Sequence, residues 1–198
     1  MLQNRTPSRN AAPAALASTL LVLAAIFTTV PAEAESIGNG PVLGIGYSGD
    51  EDAAERSGNI AIVHLGWRWS FDGADCIDNL LARAHTDFSW AVEPVIGGVF
   101  GDSEAFETSV VPFLRLAPLG WENLVPYFEG GVGIAFTSLR NYGLGSILQF
   151  SDNVGLGLTF GQQRRWSVGY RFRHLSHAKL FGDRNEGLNA HFLTISFQ

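Results

Sequence analysis

A histidine and a serine two positions apart, His174 and Ser176, are the residues of this sequence best placed for nucleophilic chemistry. They end a segment that alternates between polar and apolar residues from Arg165 onwards, the pattern of a β-strand. Because residues i and i+2 of a strand point to the same face, the imidazole and the hydroxyl project to one side. A serine nucleophile and its general base need that arrangement. The pair therefore predicts acyl transfer through a serine hydroxyl.

The face that carries this pair is otherwise apolar. Even-numbered residues before it are large and apolar, whereas odd-numbered ones are polar: Trp166, Val168, Tyr170 and Phe172 against Arg165, Ser167, Arg171 and Arg173. Polar groups on a lipid-facing row lose hydration unless they find partners. The competing interpretation is that His174 and Ser176 lie just above the hydrocarbon, among lipid headgroups, where polar residues are ordinary.

The rest of the chain contains further segments with a period of two, separated by turn residues. Six precede the pair: Val42–Tyr47, Asn59–Phe71, His85–Phe100, Glu107–Pro118, Val125–Ser138 and Ser146–Phe160. The seventh ends at the pair, and the eighth follows the loop Leu175–Leu188. The connection Asp72–Arg83 is expected to hold a helical turn. The 23 glycines and the 12% aromatic content favour an all-β protein over a helical one.

Two all-β architectures fit eight such strands. A soluble sandwich would bury the apolar faces, whereas a membrane barrel turns them to lipid and fills its lumen with polar residues. The polar faces carry both signs of charge, as paired lumen charges would: Arg68, Arg115, Arg171 and Arg173 with Asp87, Glu93, Glu107 and Glu129. The strand lengths also match a tilted bilayer crossing. The sequence therefore predicts an eight-stranded antiparallel transmembrane β-barrel, with Trp67, Trp90, Phe128 and Phe172 outside and Glu93, Glu129 and Arg171 inside.

The N-terminal region reads as an export signal over residues 1–34. A basic start is followed by the apolar run Ala14–Val30 and the small-x-small site Ala32-Glu33-Ala34. A membrane anchor is the alternative, but the run is short for a spanning helix. Residues 35–198 then form a single barrel domain, and export with a barrel predicts a multi-pass protein of the bacterial outer membrane. The net charge of −6 argues against a nucleic-acid partner. The single cysteine, Cys76, cannot form an internal disulfide.

Other polar residues interrupt the lipid-facing rows near the pair. Asp152 interrupts the sixth strand, and the tight turn Gly161–Arg164 should place it beside His174. In the eighth strand Asn189 and His191 share the outward row with Leu193, Ile195 and Phe197. The counting across the turns predicts that these polar residues converge with His174 and Ser176 on one lipid-facing spot.

The residues around this spot resemble the closing signature of the PagL-type lipid A 3-O-deacylases, roughly RF-x-H-x-S-N-A, a short loop and N-x-G-x-(E/N). This sequence reads RFRHLSHA over 171–178 and NEGLN over 185–189. The resemblance implies a small outer-membrane barrel with Ser176 as nucleophile, His174 as general base, Asn185 near the oxyanion and Asn189 as the third member of the triad. It departs from the pattern at His177, where asparagine is usual, at Asn189, which is not a carboxylate, and at Gln198, which follows the final aromatic residue.

The activity so implied is hydrolysis of an ester-linked acyl chain, at the 3-position, of lipid A in lipopolysaccharide. No metal or other cofactor is expected. Lys179 and Arg184 would contact lipid A phosphates or be ordinary solvated charges. The residue that orients His174 is expected to be Asn189, with Asp152 in support and Glu186 third. The alternatives are a non-catalytic adhesin or structural barrel and a phospholipase or acyltransferase. The preferred chain length and the oligomeric state, a homodimer included, stay open.

Overall fold

The alternating segments form a closed barrel. A computed structural model describes residues 38–49, 59–72, 81, 83–102, 104–139, 143–161, 164–181 and 185–198. Its strands are β1 (Gly38–Gly49), β2 (Asn59–Asp72), β3 (Thr86–Gly101), β4 (Ala105–Pro118), β5 (Leu124–Thr137), β6 (Leu148–Phe160), β7 (Trp166–Ser176) and β8 (Leu188–Phe197). Each pairs antiparallel with its neighbours in sequence, and β1 pairs with β8. The predicted eight-stranded antiparallel barrel is confirmed.

Several predictions concern residues that the structure does not describe. The signal segment 1–34, Cys76, Arg184 and most of the expected helical turn in Asp72–Arg83 lie outside the described residues and stay predictions. Within the described part of the chain, no helix has the length and hydropathy needed to cross a membrane.

Strand alternation separates the two faces as predicted. Trp67, Trp90 and Phe128 are 42%, 39% and 51% exposed, whereas Glu93 and Glu129 are 1% and 2% exposed. Since successive side chains of a strand point to opposite faces, the aromatic rows lie outside and the charged rows line the lumen. An apolar exterior around a polar interior is the arrangement of a transmembrane barrel.

The strands extend beyond the segments that alternate most clearly. β1 runs from Gly38 to Gly49, although Val42–Tyr47 is its recognisable part. Its ends contain Gly, Pro and Asn, which local propensity does not favour in strands. They are held by the ladder with β2, which pairs Gly38 with Ser70 and Gly49 with Asn59. Pairing with a strongly patterned neighbour therefore sets the length of β1.

Ion pairs fill the middle of the lumen. Arg171 donates hydrogen bonds to Glu93 Oε1 at 2.7 Å and to Glu129 Oε1 at 2.9 Å. Arg68 bridges the same two carboxylates, at 3.1 and 2.9 Å. Arg115 donates to Glu129 Oε2 at 3.0 Å. The predicted pairing of opposite charges inside the barrel is therefore present, and it satisfies groups that would otherwise be buried and uncompensated.

Apolar residues close the lumen at one end. They belong to the end where β7 finishes and β8 begins: Ile60, Ile62, Val99, Ala135, Leu139, Leu144, Leu175, Leu188, Ala190 and Phe192. We call this set the apolar plug. Arg173 and Glu107 form a second ion pair beside His64, and Arg173 stacks over the Phe192 ring at 4.9 Å. At the opposite end a cavity of about 140 Å³ lies between Arg115, Tyr127 and Arg164 among others.

Candidate active site

The end of β7 places the histidine and the serine together on the outer face of the barrel. Ser176 is the last residue of the strand, and both side chains are half-buried. Across the ladder with β6, His174 pairs with Asp152 and Ser176 pairs with Phe150. Across the ladder with β8, His174 pairs with Asn189. The two hairpin registers therefore bring Asp152 and Asn189 to either side of His174, as the sequence predicts.

One short hydrogen bond orients the imidazole. His174 Nδ1 lies 2.7 Å from Asn189 Oδ1. The amide oxygen can only accept, so the ring must donate from Nδ1. A neutral imidazole that carries its proton on Nδ1 has a lone pair on Nε2. The arrangement thus leaves Nε2 as the basic nitrogen.

Asp152, Glu186 and His191 stand in different relations to the imidazole. Asp152 is half-buried opposite His174, and among the described residues the hydrogen bond of His174 is with Asn189 and not with Asp152. Glu186 is exposed in the loop before β8. His191 shares the outward face but pairs with Phe172, one step further from the loop end. The hydrogen-bond partner of His174 Nδ1 is thus Asn189 and none of these three residues.

His191 has a partner that the sequence pattern does not reveal. Its Nδ1 is hydrogen-bonded to the Tyr170 hydroxyl at 2.6 Å, and its ring lies 5.4 Å from that of Phe172. The two polar groups satisfy each other on a lipid-facing surface, where an unpaired one would be costly. Tyr170 could have been found by its diagonal position across the β7–β8 ladder.

The loop after β7 is fixed by backbone hydrogen bonds. The His177 amide donates to Asn185 Oδ1 at 3.0 Å. The Leu180 amide donates to the His177 carbonyl at 2.8 Å, and the Glu186 amide donates to Gly143 O at 3.1 Å. Asn185 therefore uses its carbonyl oxygen to hold the chain that follows the serine, and its Nδ2 amino group is the donating side of the same amide.

His177 lies inside the barrel and not in the site. Its side chain is fully buried, at 0% exposure, and its ring lies 6.0 Å from that of Phe181. Strand parity explains the placement, because residue 177 continues the inward row of Leu175. The histidine that departs from the resembled signature therefore lies on the inward row, and its backbone amide binds Asn185.

Gly187 is a site residue to which the sequence pattern assigns no role. It comes directly before Leu188, which forms the last pair of the β7–β8 ladder with Leu175, the neighbour of Ser176. A Cβ atom at this position would lie 2.6 Å from His174 Cε1. Counting back from Asn189 along the outward row of β8 would have identified it as a neighbour of the serine.

The surroundings of the site are apolar on the outside of the barrel. Phe150, which pairs with Ser176, and Ile147 before β6 are exposed, as are Leu193 further along β8 and Leu180 and Phe181 in the loop. No group of three or more His, Cys, Asp or Glu side chains gathers into a metal site within the described ranges. The site is thus a serine and a histidine oriented by an amide, open toward a lipid phase.

Comparison with known proteins identifies the family. A family profile described as lipid A 3-O-deacylase (PagL) matches residues 61–198, well over half of the chain. The chain belongs to the PagL family. The matched range runs from β2 to the end of β8 and contains every site residue described above.

Individual PagL proteins show the extent of the likeness. The lipid A deacylase PagL of Bordetella bronchiseptica is 27% identical over 135 residues, which are 67% of this chain and 69% of that protein. The lipid A deacylase PagL of Pseudomonas aeruginosa is 36% identical over 75 residues, 36% of this chain and 42% of that one. The crystal structure of the outer membrane enzyme PagL superposes with a TM-score of 0.60 at 23% identity, covering 81% of this chain and 99% of that one. At 23% identity this superposition shows that the two proteins share the barrel fold.

Proposed function

We propose that this protein is an outer-membrane serine esterase that removes an ester-linked acyl chain from lipid A, at the 3-position of the sugar. Ser176 is the nucleophile and His174 the general base. The observation that carries the proposal is the 2.7 Å hydrogen bond from His174 to Asn189. His174 lies two positions before Ser176 on the outward face of β7. Membership of the PagL family supports lipid A as the substrate.

The position of the site favours a substrate that resides in the membrane. His174 and Ser176 lie at the loop end of β7, opposite the end that holds Gly38 and Phe197. With those termini in the periplasm, the site is at the outer-leaflet boundary between headgroups and acyl chains. Lipid A has its ester bonds at this depth and its acyl chains along the apolar rows below. A water-soluble ester would have to reach the same place through lipid.

The reaction follows from the orientation of the imidazole. His174 Nε2 accepts the Ser176 proton while Oγ attacks the ester carbonyl carbon. The tetrahedral intermediate collapses when the sugar oxygen leaves with that proton from His174. His174 then deprotonates a water molecule, which attacks the acyl-serine and releases the fatty acid. One water is consumed, and the products are a carboxylic acid and a sugar with a free hydroxyl.

The oxyanion of each intermediate needs donors in fixed positions. Asn185 is the side chain proposed for this role. Its Oδ1 is occupied by the His177 amide at 3.0 Å, an arrangement that fixes the amide plane and leaves the Nδ2 hydrogens to donate. Backbone amides beside Ser176 are the other candidates.

Asn189 is the proposed third member of the triad, with Asp152 in support. The amide oxygen holds the tautomer and the ring plane, which is the role of asparagine in Cys-His-Asn enzymes. It carries no charge, so it stabilises the imidazolium less than a carboxylate would. Asp152 lies across the other ladder and adds a negative charge on the same face. Glu186 is ranked third because it is an exposed loop residue.

Mass spectrometry of lipid A tests the proposal. The wild-type protein and Ser176→Ala would be expressed in a Gram-negative host that lacks a lipid A deacylase of its own. Ser167→Ala, which removes an inward-facing hydroxyl from the same strand, is the matched control. We expect loss of one acyl chain with the wild type and Ser167→Ala and unchanged lipid A with Ser176→Ala. Fragmentation of the product assigns the position.

Other outcomes of that measurement favour the alternatives. Unchanged lipid A in every strain, with each protein correctly folded in the membrane, would support a non-catalytic adhesin or structural barrel. Changes confined to phospholipids would support a phospholipase or acyltransferase. Deacylation by Ser176→Ala at the wild-type level would leave the enzyme class intact and exclude this serine as nucleophile.

A further inference from the structure

Gly187 stands where a side chain would meet the catalytic pair. It precedes β8 by one residue, and the β7–β8 ladder ends at the next pair, Leu175 with Leu188. Ser176 and Gly187 are the residues that follow this last pair on the two chains. On the β6 side, Ser176 has Phe150 as its partner. The serine therefore has an aromatic ring on one side and a position without a side chain on the other.

Two separate constraints act on this glycine. Its φ is +75°, in the left-handed region that residues with a Cβ rarely adopt. A Cβ atom would also lie 2.6 Å from His174 Cε1 and 3.3 Å from His174 Nε2. Real Cβ atoms do not approach a carbon so closely, so the ring would have to move. The atoms in conflict belong to the ring edge that carries the basic nitrogen.

The ring has little freedom to move away. Its other edge is held by the 2.7 Å hydrogen bond between Nδ1 and Asn189 Oδ1. The loop that carries residue 187 is held as well, because the Glu186 amide donates to Gly143 O at 3.1 Å and Asn185 Oδ1 accepts from the His177 amide. A side chain at residue 187 would therefore displace the imidazole at the expense of its bond to Asn189.

We propose that Gly187 is a positioning residue of the active site. Its missing side chain clears the Nε2 edge of His174 and leaves a slot between Ser176 and β8 in which the scissile ester lies. Gly187 thus acts on the reaction through the orientation of the base and the space beside the nucleophile. This inference rests on the proposed function of His174 and Ser176.

The chain offers a glycine that separates the two constraints. Gly120 has φ +81°, close to that of Gly187, and a Cβ added there would have no heavy atom within 4 Å. It lies between β4 and β5, at the barrel end opposite the site. Gly120→Ala therefore introduces a comparable backbone strain without a clash and without contact with the site. A difference between Gly187→Ala and Gly120→Ala reports on the clash with His174.

The first experiment compares rates of the purified, detergent-solubilised proteins on lipid A. We expect Gly187→Ala to deacylate about 100-fold more slowly than the wild type, the size of effect that a displacement of about 1 Å in a catalytic group produces. Gly120→Ala should match the wild type. A Gly187→Ala rate within about threefold of the wild type would overturn the inference. A wild type without activity would instead contradict the proposed function.

The second experiment asks whether the effect passes through His174. In a His174→Ala background no ring is present for a side chain at residue 187 to displace. His174→Ala and His174→Ala/Gly187→Ala should then label Ser176 with a fluorophosphonate probe at equal rates, whereas Gly187→Ala should slow the labelling of the protein that retains His174. An equal factor in both backgrounds would assign Gly187 a purely structural role and overturn the inference.

Folding and ring orientation are followed independently of activity. The signal of His174 in ¹⁵N-histidine-labelled protein is identified by its absence in His174→Ala. In Gly187→Ala the Nδ1 signature of the bond to Asn189 should be lost, and in Gly120→Ala it should persist. Should Gly187→Ala fail to fold, the clash predicts that His174→Ala/Gly187→Ala folds. Misfolding of both variants would contradict the inference.

Discussion

The two faces of strand β7 differ in how completely their polar groups are paired. Inward, Arg171 and Arg173 are buried and each donates at least two hydrogen bonds to carboxylates of the lumen. Outward, His174 and Ser176 are half-buried, and His174 has one neutral partner, Asn189. Charges are thus concentrated where lipid is absent, and the lipid-facing side carries a small group of polar residues at the loop end of the strand.

This difference assigns separate roles to the two faces of β7. Inward residues stabilise the barrel, and outward residues serve the reaction. A buried guanidinium that already binds two carboxylates has no capacity left for a substrate, and its removal leaves a buried charge uncompensated. A histidine whose Nδ1 is held and whose Nε2 is basic has the group that a general base requires. Adjacent residues of one strand should therefore give opposite phenotypes when they are substituted.

The largest differences are expected between two variants of neighbouring residues, His174→Ala and Arg173→Met. His174→Ala should lower lipid A deacylation by about 10⁴-fold or more, because the nucleophile loses its base, and should leave stability nearly unchanged. Arg173→Met should lower the free energy of unfolding by about 3–5 kcal/mol, since Glu107 loses its bidentate partner, while the folded fraction stays active. Deacylation rates and urea unfolding in micelles measure the two properties.

This comparison fails in two ways that can be told apart. A destabilised His174→Ala would mean that the outward residues also hold the barrel together. An inactive but fully stable Arg173→Met would mean that the lumen charges act on the reaction through the strand. Either result would contradict the assignment of stability to the inward face and of chemistry to the outward face.

The next effect concerns the residue that orients the base. Asn189→Ala removes the acceptor 2.7 Å from His174 Nδ1 and should lower the deacylation rate by about 10²–10³-fold, because tautomer and ring plane are no longer fixed. Asn189→Asp keeps the shape and adds a charge that supports the imidazolium, so its rate should equal or exceed that of the wild type. Rates of both variants with saturating lipid A check this. Equal losses in both would argue that the amide, and not an acceptor oxygen, is required.

Much of this arrangement follows from counting along the sequence. A period of two assigns each residue to a face, and a tight turn fixes register, so the short connection Gly161–Arg164 is enough to set Asp152 beside His174. The Arg164 amide bonds to Gly161 O at 3.0 Å, as such a turn requires. Asn189 is placed by the continuous outward row of β8. Local pattern and hairpin geometry carry these predictions.

Other features depend on contacts that no local pattern encodes. The partner of His191 is Tyr170, which requires the diagonal geometry of two strands. The role of Gly187 depends on the rotamer of His174 and on a loop conformation with φ of +75°. The length of β1 depends on its neighbour β2 and not on its own composition. Each of these is a property of the closed barrel, and the sequence of one segment does not contain it.

A smaller loss is expected from Asp152→Asn. Asp152 is half-buried across the ladder from His174 and makes no hydrogen bond to its ring among the described residues. Its effect should be that of a nearby charge on the imidazolium, which at an effective dielectric constant of about 20 amounts to roughly 10- to 100-fold in rate. Asp87→Asn removes one charge at a distance from the site and serves as the control. Identical rates for the two variants would remove Asp152 from the site.

The smallest effect is expected from Glu186→Gln, measured in the same lipid A assay. Glu186 lies in the loop before β8, its side chain is exposed, and the bond that fixes this loop comes from its backbone amide to Gly143 O. Glutamine keeps that amide and nearly the same size, so only the charge is lost. A charge exposed to solvent contributes little at a distance, and the rate should stay within about threefold of the wild type. Should Glu186→Gln instead lose as much activity as Asn189→Ala, the carboxylate of the loop, and not the amide of β8, would be the group that supports His174 during the reaction. The histidine on the outer face would then be supported by a carboxylate, as the arginines of the lumen are.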